Sequence, residues 1–205
     1  MKFGAAAAER WTEDAYADPE AYLAHRADLI LTLGAPLLPG DRVLDLACGD
    51  AGLAEFLLPH GIRYVGVDAS EAMVAAARAR LRARGEIHLG TVDSYRPPTP
   101  VAATTMFRAL YYAADRAAFF RHVASYTDKK LVFDLNPRQY GVEEIRDELR
   151  LAGFDTLRTR PFFVPQTVLL PRPLLRGLVA AERFRPLARL LLRLRFTYIC
   201  VASKP

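Results

Sequence analysis

The amino-acid sequence predicts an α/β fold with a mostly parallel, doubly wound sheet, and three observations support this class. Short apolar segments typical of buried strands alternate along the chain with longer segments of helical periodicity. The 205 residues, of which 52% are hydrophobic and 25% charged, can form one sizeable domain with a buried sheet. Neither an internal repeat nor a low-complexity linker divides the sequence, so a single domain over residues 1–205 is the simplest organisation.

The predicted elements can be followed from one end of the chain to the other. Strands are expected at residues 42–46, 64–68, 87–89, 101–107, 130–135, 154–163 and 195–202. Helices are expected at residues 19–33, in a segment that ends near residue 60, and at 70–84, 115–126 and 142–152. Asp18 followed by Pro19 is typical of a helix start, whereas Gly34, Gly85 and Gly153 are expected to end helices.

Composition argues against several classes of protein. The longest apolar runs, such as residues 29–33, are far shorter than the roughly 20 residues that cross a bilayer. Because no export signal is visible either, we expect a cytoplasmic protein. Cys48 and Cys200 cannot make a disulfide framework, and the four histidines are scattered rather than spaced as zinc ligands. We therefore expect no metal site.

The positive charge of the chain belongs to one segment. Residues 172–195 contain seven arginines and one glutamate, a local balance of +6, whereas the whole chain carries +5. The rest of the chain therefore sums to −1. Charge confined in this way is poor support for a general nucleic-acid surface.

A bend of small residues follows the first predicted strand. Residues 47–52 are Ala-Cys-Gly-Asp-Ala-Gly, and small side chains let a backbone approach a ligand closely. Open α/β sheets bind ligands at the carboxyl ends of their strands, beside the point where the strand order reverses. The bend is therefore a candidate binding loop, although a tight turn onto a packed helix would have the same composition.

Two acidic residues follow the next two strands. Asp68 ends the second strand, 23 residues after Asp45, where a carboxylate can accept hydrogen bonds from the ribose hydroxyls of an adenosine ligand. Asp93 follows the third strand, where its carboxylate can accept a hydrogen bond from an adenine amino group while the backbone amide of Val92 donates one to the adenine ring. Each acid has an ordinary alternative, a helix cap for Asp68 and a turn residue for Asp93. Their order after the bend favours one adenosyl site.

Three segments together carry a family resemblance. Residues 43–49 (VLDLACG), 64–73 (YVGVDASEAM) and 91–93 (TVD) resemble the class I S-adenosylmethionine-dependent methyltransferases, and the likeness covers nearly the whole chain. The resemblance implies a Rossmann-like, seven-stranded sheet of order 3-2-1-4-5-7-6, with helices on both faces and an antiparallel last strand. It implies S-adenosylmethionine as cofactor.

The resemblance also implies roles for individual residues. The cofactor-binding set that it gives is Asp45, Ala47, Cys48, Gly49, Asp68, Ala69, Met73, Val92, Asp93 and Arg108, joined by Tyr22 and Arg26. Arg108 would lie near the sulfonium. Tyr22 and Arg26, one helical turn apart, resemble a lid helix whose arginine pairs with the cofactor carboxylate, although an exposed helical arginine needs no ligand. Where the family often has glycine this chain has Ala47 and Ala51, which makes the geometry of the bend less certain.

Two parts of the chain are candidates for contact with the methyl acceptor. Tyr111 and Tyr112 follow the fourth strand, where they would orient a substrate or simply belong to the core. Residues 1–34 and the helical insertion 164–195 are expected to act as lids. In the insertion, Leu187, Leu190, Leu191 and Leu194 share one helical face, and Arg185, Arg189 and Arg193 lie opposite them. This pattern fits either a helix packed on the domain or one that admits a hydrophobic or anionic acceptor or touches a membrane.

The sequence thus predicts methyl transfer to a small molecule by in-line displacement, without a recognisable catalytic side chain. A cofactor-binding module without turnover is the main alternative. An NAD-dependent dehydrogenase is less favoured, because the Gly-x-Gly-x-x-Gly motif is missing after the first strand. A nucleic-acid substrate is not expected, because residues 108–111 are Arg-Ala-Leu-Tyr where a base-gripping Asn-Pro-Pro-Tyr motif would stand.

Overall fold

The computed structural model describes residues 4–184, 186 and 197–204, which alternate between strands and helices. The strands are Arg42–Leu46 (β1), Arg63–Asp68 (β2), Glu86–Leu89 (β3), Val101–Met106 (β4), Thr127–Leu135 (β5), Thr156–Phe162 (β6) and Thr197–Ser203 (β7). The α-helices are Ala5–Glu9 (α1), Trp11–Ala15 (α2), Pro19–Thr32 (α3), Ala54–Leu57 (α4), Glu71–Leu81 (α5), Arg116–Ala124 (α6), Val142–Leu151 (α7) and Arg172–Ala181 (α8). Short 3-10 turns cover Leu58–His60 and Leu110–Tyr112. None of these helices is long and apolar enough to cross a membrane.

All seven strands form one sheet in the order β3-β2-β1-β4-β5-β7-β6, which confirms the expected fold class. The first five strands pair in parallel, and β7 runs antiparallel between β5 and β6. The central strand β1 places Asp45 opposite Gly66 of β2 and Thr105 of β4. An all-parallel dehydrogenase sheet of order 3-2-1-4-5-6 does not have this arrangement.

Both faces of the sheet are covered, which explains why its central strands are mostly apolar, with Asp45, Thr104 and Thr105 as buried polar residues of β1 and β4. On one face Val43 and Val132 pack in a core cluster with residues of α3, α4 and α5. On the other face Leu44 and Phe133 pack with residues of α6 and α7. A strand buried on both sides needs apolar residues at every position rather than at alternate ones.

Most predicted boundaries lie within two residues of the observed ones, and two are wrong by three residues for identifiable reasons. Helix α5 ends at Leu81 instead of reaching residue 84, because Arg82 has a φ of 54° and so leaves the helical conformation before Gly85. Strand β5 begins at Thr127, three residues early, because Thr127 pairs with Val101 of β4 before a shift in register. The last strand is described from Thr197 onward, and the expected residues 195 and 196 lie outside the described residues.

The two N-terminal helices were not expected from the sequence. Ala8 of α1 is fully buried and packs with Met73 and Ala76 of α5. Each of these helices has only five residues, too few to show a helical period in the sequence. Their contacts with α5 and with the bend after β1 stabilise them.

Candidate functional site

A large cavity lies where β1, β2, β3 and β4 end. Its volume is about 980 Å³, at the upper end of the range of about 300–1,000 Å³ for small-molecule sites. The strand order reverses here, because β1 lies between β2 and β4. Every predicted cofactor residue except Tyr22 lines this cavity: Arg26, Asp45, Ala47, Cys48, Gly49, Asp68, Ala69, Met73, Val92, Asp93 and Arg108.

The bend after β1 has a backbone that favours small residues. Ala47, Gly49 and Ala51 all have φ values between 56° and 58°, in the left-handed region. A Cβ atom at residue 49 would lie 3.0 Å from the Trp11 ring. The bend adopts this conformation with alanine at residues 47 and 51. Residue 49 must be glycine, because a Cβ atom there would press against Trp11 of α2.

Asp68 fixes this bend. One of its carboxylate oxygens accepts a hydrogen bond from the Gly49 backbone N–H at 2.9 Å, and the other accepts from the Ser70 N–H at 2.9 Å. The side chain that caps α5 is Ser70, whose hydroxyl accepts from the Met73 N–H. Asp68 is therefore not simply a helix cap, and its half-buried carboxylate faces the cavity.

Val92 and Asp93 line the neighbouring wall. Val92 is buried, whereas Asp93 is exposed and accepts a hydrogen bond from the Ala114 N–H at 3.1 Å. This bond joins the loop after β3 to the segment after β4. Asp93 is more than an isolated turn residue, because it connects two of the loops around the cavity.

Asp45 lies at the floor of the cavity. Its two carboxylate oxygens accept hydrogen bonds from the hydroxyl groups of Tyr64 and Thr105, each at 2.7 Å. Burial raises the pKa of Asp45 to about 6, although these two hydrogen bonds oppose the shift. The carboxylate therefore holds β1, β2 and β4 together beneath the bend.

Asp50 was missed as a site residue, and it joins the N-terminal segment to the bend. It accepts hydrogen bonds from the Thr12 backbone N–H at 3.0 Å and the Thr12 hydroxyl at 2.5 Å. Arg80 of α5 donates to the same carboxylate at 2.7 Å and also contacts Glu13. This network holds Trp11 and α2 against the cavity. Residues this far apart in the sequence gave no local signal.

Arg26 is buried rather than exposed on its helix, with 3% of its surface accessible. Its guanidinium donates to the Tyr22 hydroxyl at 3.0 Å and lies 4.2 Å from the centre of the Phe107 ring. Within the described residues, its buried Nε has no hydrogen-bond partner. Tyr22 lies behind Arg26 and does not line the cavity, so the structure places it as a support for that arginine.

Arg108 approaches the same cavity from the loop after β4. Its φ is 54°, and its backbone N–H donates to the Asp134 carboxylate at 2.7 Å. The guanidinium carbon lies 5.6 Å from the Trp11 ring centre and 5.9 Å from that of Tyr16. Burial raises the pKa of Asp134, while Arg26 and Arg108 oppose that shift.

The comparisons with known proteins agree with this geometry. Residues 43–130, which contain the bend and both acids, match the methyltransferase domain family. The matched segment, 88 of the 205 residues, is similar to that family. Proteins of this family use S-adenosylmethionine as cofactor. No curated protein sequence matches the chain.

Several solved structures share the methyltransferase fold. One is a Haloferax volcanii protein, described as a methyltransferase and solved with the Trm112 methyltransferase activator; it is 23% identical, with a TM-score of 0.67, and the match covers 98% of this chain and 94% of that one. The [4+2]-cyclase SpnF is 19% identical over 89% of this chain and 80% of its own, with a TM-score of 0.64. The Synechocystis magnesium protoporphyrin IX methyltransferase, solved with bound S-adenosylmethionine, is 17% identical over 96% and 79%, with a TM-score of 0.59. At these identities the likeness establishes the fold.

The two predicted substrate residues lie at the mouth of the cavity. Tyr111 and Tyr112 follow β4 on a 3-10 turn, are 63% and 56% exposed, and have ring centres 4.4 Å apart. Partial burial and the hydrogen bond with Tyr112 raise the pKa of Tyr111 to about 12, so its hydroxyl stays protonated at neutral pH. Their exposure does not fit the alternative of core tyrosines.

The described part of the insertion 164–195 is attached to the methyltransferase domain by a buried acid. Glu182, just after α8, accepts hydrogen bonds from the Phe163 N–H at 2.8 Å and contacts His25 Nε2 at 2.8 Å. Leu175 and Val179 of α8 pack against the core. The predicted leucine and arginine faces at residues 185 and 187–194 lie outside the described residues.

Proposed function

We propose that this protein transfers the methyl group of S-adenosylmethionine to a small-molecule acceptor. One observation carries the proposal: the bend after β1, Asp68 and Asp93 come from three different strand ends and line a single cavity. The match of residues 43–130 to the methyltransferase domain family supports S-adenosylmethionine as the cofactor, and the cavity is large enough to admit a second small molecule beside it.

The residues around the cavity fit this cofactor. The glycine at residue 49 lets the Trp11 ring pack directly on the bend, so that Trp11 and the bend line the same cavity. Asp68 has accepted two amide hydrogen bonds, and a carboxylate has about four acceptor positions, so it retains capacity for two ribose hydroxyls. Val92 and Asp93 would bind the adenine edge beside the buried Met73. The unpartnered Nε of Arg26 is suited to the cofactor carboxylate.

The cofactor supplies a methyl group on a positively charged sulfur, which is already activated as a leaving group. The task of the protein is then to align the acceptor and to exclude water. Trp11, held against Gly49 through Thr12 and Asp50, covers one side of the cavity. Tyr111 and Tyr112 border its mouth and would orient the acceptor. A side-chain base is needed only for an acceptor atom that carries a proton of high pKa.

The proposed acceptor is a small molecule. Two structural neighbours are named for activity on small molecules, magnesium protoporphyrin IX and phosphoethanolamine. The N-terminal segment up to residue 34 and the insertion 164–195 would act as lids. In the N-terminal segment α2 reaches the cavity, whereas most of α3 packs in the core.

A peripheral membrane contact through residues 172–195 is a separate hypothesis. Leu174 of α8 is 54% exposed and Phe184 is 61% exposed, beside exposed Arg172, Arg176 and Arg183. Co-sedimentation with anionic phosphatidylserine vesicles at low salt tests it, with neutral phosphatidylcholine vesicles as the control. The hypothesis is wrong if the protein binds neither kind of vesicle.

Two measurements test the proposed function. Isothermal calorimetry with S-adenosylmethionine and S-adenosylhomocysteine should show saturable binding by the wild-type chain, and NADH should not bind. A methyl-transfer assay across acids, amines, phenols and thiols should then find a methylated product. Cofactor binding with no product from any acceptor would favour a binding module, or a different chemistry on this fold such as that for which SpnF is named. Failure to bind either cofactor form would contradict the proposal.

A further inference from the structure

Two arginines reach the cavity, and among the described residues neither forms an ion pair with any of the five acids that also line it, Asp45, Asp50, Asp68, Glu71 and Asp93. Arg26 reaches it from α3 and Arg108 from the loop after β4. Within the described residues, Nε of Arg26 and Nη1 of Arg108 are both buried and have no hydrogen-bond partner. Asp134 is the acid next to both arginines, but its hydrogen bond from Arg108 comes from the backbone N–H, and its carboxylate does not line the cavity.

A buried guanidinium N–H group that lacks a hydrogen-bond acceptor is unfavourable, so an acceptor is expected to bind beside each of these atoms, and an anion forms the strongest such bond. S-adenosylmethionine brings one carboxylate, which suffices for one arginine, together with two positive groups, its ammonium and its sulfonium. With the cofactor carboxylate at Arg26, the buried Nη1 of Arg108 would still lack a hydrogen-bond acceptor.

The position of Arg108 is built into the fold. The Asp134 carboxylate accepts a hydrogen bond from the Arg108 backbone N–H at 2.7 Å. This bond fixes the left-handed conformation of Arg108, in the loop that follows β4. Trp11 and Tyr16 lie within 6 Å of the guanidinium carbon, and Tyr111 and Tyr112 line the same cavity. Two aromatic rings therefore lie beside the guanidinium, and they restrict its motion and favour a flat, apolar body on a bound molecule.

We propose that the methyl acceptor is a small molecule with a carboxylate or phosphate group, and that Arg108 binds this anionic group. The inference rests on the proposed function, because Arg108 is assigned to the acceptor on the premise that Arg26 binds the cofactor carboxylate. Asp134 is a positioning residue for Arg108. The acceptor class is then small, anionic and partly aromatic or apolar.

Binding of simple probes tests this proposal without knowledge of the true acceptor. The protein is saturated with S-adenosylhomocysteine and titrated with benzoate, phenyl phosphate or neutral benzamide. Binding is measured by calorimetry and by fluorescence of Trp11, the single tryptophan of the chain, which lies beside Arg108. We expect saturable binding of at least one anion and at least about tenfold weaker binding of benzamide, and the stronger anion identifies the preferred group.

Substitutions separate the role of Arg108 from general effects. Arg108→Gln keeps a non-glycine residue at the left-handed position, and it should lower affinity for the preferred anion at least about tenfold, while Arg108→Lys should retain part of it. Arg121→Gln, on the exposed face of α6, is the matched control and should bind like the wild type. Asp134→Asn still accepts from the Arg108 N–H and should weaken anion binding less than Asp134→Ala.

The outcomes distinguish this inference from the proposed function. If the wild-type chain does not bind S-adenosylhomocysteine, the proposed function itself is wrong. If it binds S-adenosylhomocysteine but binds neither anion more tightly than benzamide, the acceptor class is wrong and the proposed function stands. Undiminished anion binding by Arg108→Gln, in a variant that still binds S-adenosylhomocysteine, would overturn the role of Arg108.

Discussion

The carboxylate of Asp50 accepts hydrogen bonds from both the backbone N–H and the hydroxyl group of Thr12, 38 residues earlier in the chain. Asp50 lies in the bend after β1, and Thr12 lies on α2, next to Trp11. Through this pair the N-terminal segment is attached to the loop that borders the cavity. Several properties of the protein should depend on this attachment.

Thr12→Val should lower both stability and cofactor affinity. The substitution keeps the shape of the side chain but removes the hydroxyl donor to a buried carboxylate, a hydrogen bond that contributes about 1.5–3 kcal/mol. Thr12→Ser keeps the hydroxyl and should cost less than half as much. Urea denaturation measures the free energy of unfolding, and calorimetry measures affinity for S-adenosylmethionine. Equal effects of the two substitutions would contradict this role of the hydroxyl.

Gly52→Ala should disturb the same contact from the other side. A Cβ atom at residue 52 would lie 2.2 Å from the Thr12 hydroxyl oxygen, so α2 must move away from the bend. We expect a loss of about 1–3 kcal/mol in the free energy of unfolding and weaker cofactor binding.

The matched control is Gly177→Ala in α8, where nothing lies within 4 Å of the added carbon. Because alanine favours a helix interior, this variant should be as stable as the wild type or more stable by up to about 1 kcal/mol. Thermal denaturation of both variants checks the pair. If both variants lost stability to the same extent, the contact at Gly52 would not be the cause.

Asp68→Asn should weaken cofactor binding by about tenfold or more. The amide side chain has only one acceptor oxygen, and it cannot accept from Gly49 and Ser70 while also binding two ribose hydroxyls. Asp128→Asn, an exposed acid at the start of β5, is the control and should bind as the wild type does. Calorimetry with S-adenosylhomocysteine gives the comparison, and unchanged affinity in Asp68→Asn would remove Asp68 from the site.

Asp45 should make stability depend on pH in the weakly acidic range. Burial raises its pKa from an ordinary 3.8 to about 6, so between these values the folded state binds more protons than the unfolded state. The contribution of Asp45 to stability is therefore full below about pH 4 and is lost as the pH rises through about 6, by an amount on the order of 3 kcal/mol.

Comparison with Asp45→Asn isolates this effect from that of other acids. The variant cannot titrate at this position, so its stability relative to the wild type should improve between pH 4.5 and about pH 7. Urea denaturation at several pH values in this range provides the test. A constant difference between the two proteins would show that Asp45 has an ordinary pKa.

Arg82→Gly should stabilise the protein. Arg82 is exposed and ends α5 with φ 54° and ψ −120°, a conformation that costs a residue with a Cβ about 1–3 kcal/mol. Glycine adopts it without that cost, although part of the gain is offset by its freedom in the unfolded chain, and a net gain of about 1 kcal/mol is expected. Arg82→Ala keeps the Cβ and should change little. Thermal denaturation of both variants is the test. A gain in stability for Arg82→Gly alone would show that backbone strain is the cause, whereas equal gains for both variants would point to the loss of the arginine side chain.

The sequence by itself was sufficient for much of the fold. Strands that are buried on both faces have apolar sequences, so β1, β2 and β4 were recognisable from local composition. The order of the sheet followed from the family resemblance, and the sheet pairing confirms it. Helix ends were less accurate where a residue other than glycine took a left-handed conformation, as Arg82 does.

Residues at strand ends could be predicted as neighbours because parallel strands bring their carboxyl ends to one edge, which is why Asp45, Asp68 and Asp93 were predicted to share a cavity. The sequence determined these positions, since each depends on a strand that is visible locally. Only the tertiary structure decided that Asp50 binds Thr12 and that the Arg26 guanidinium is buried against Phe107. These contacts join residues from separate elements, and a local sequence pattern does not predict contacts between residues that are far apart in the chain.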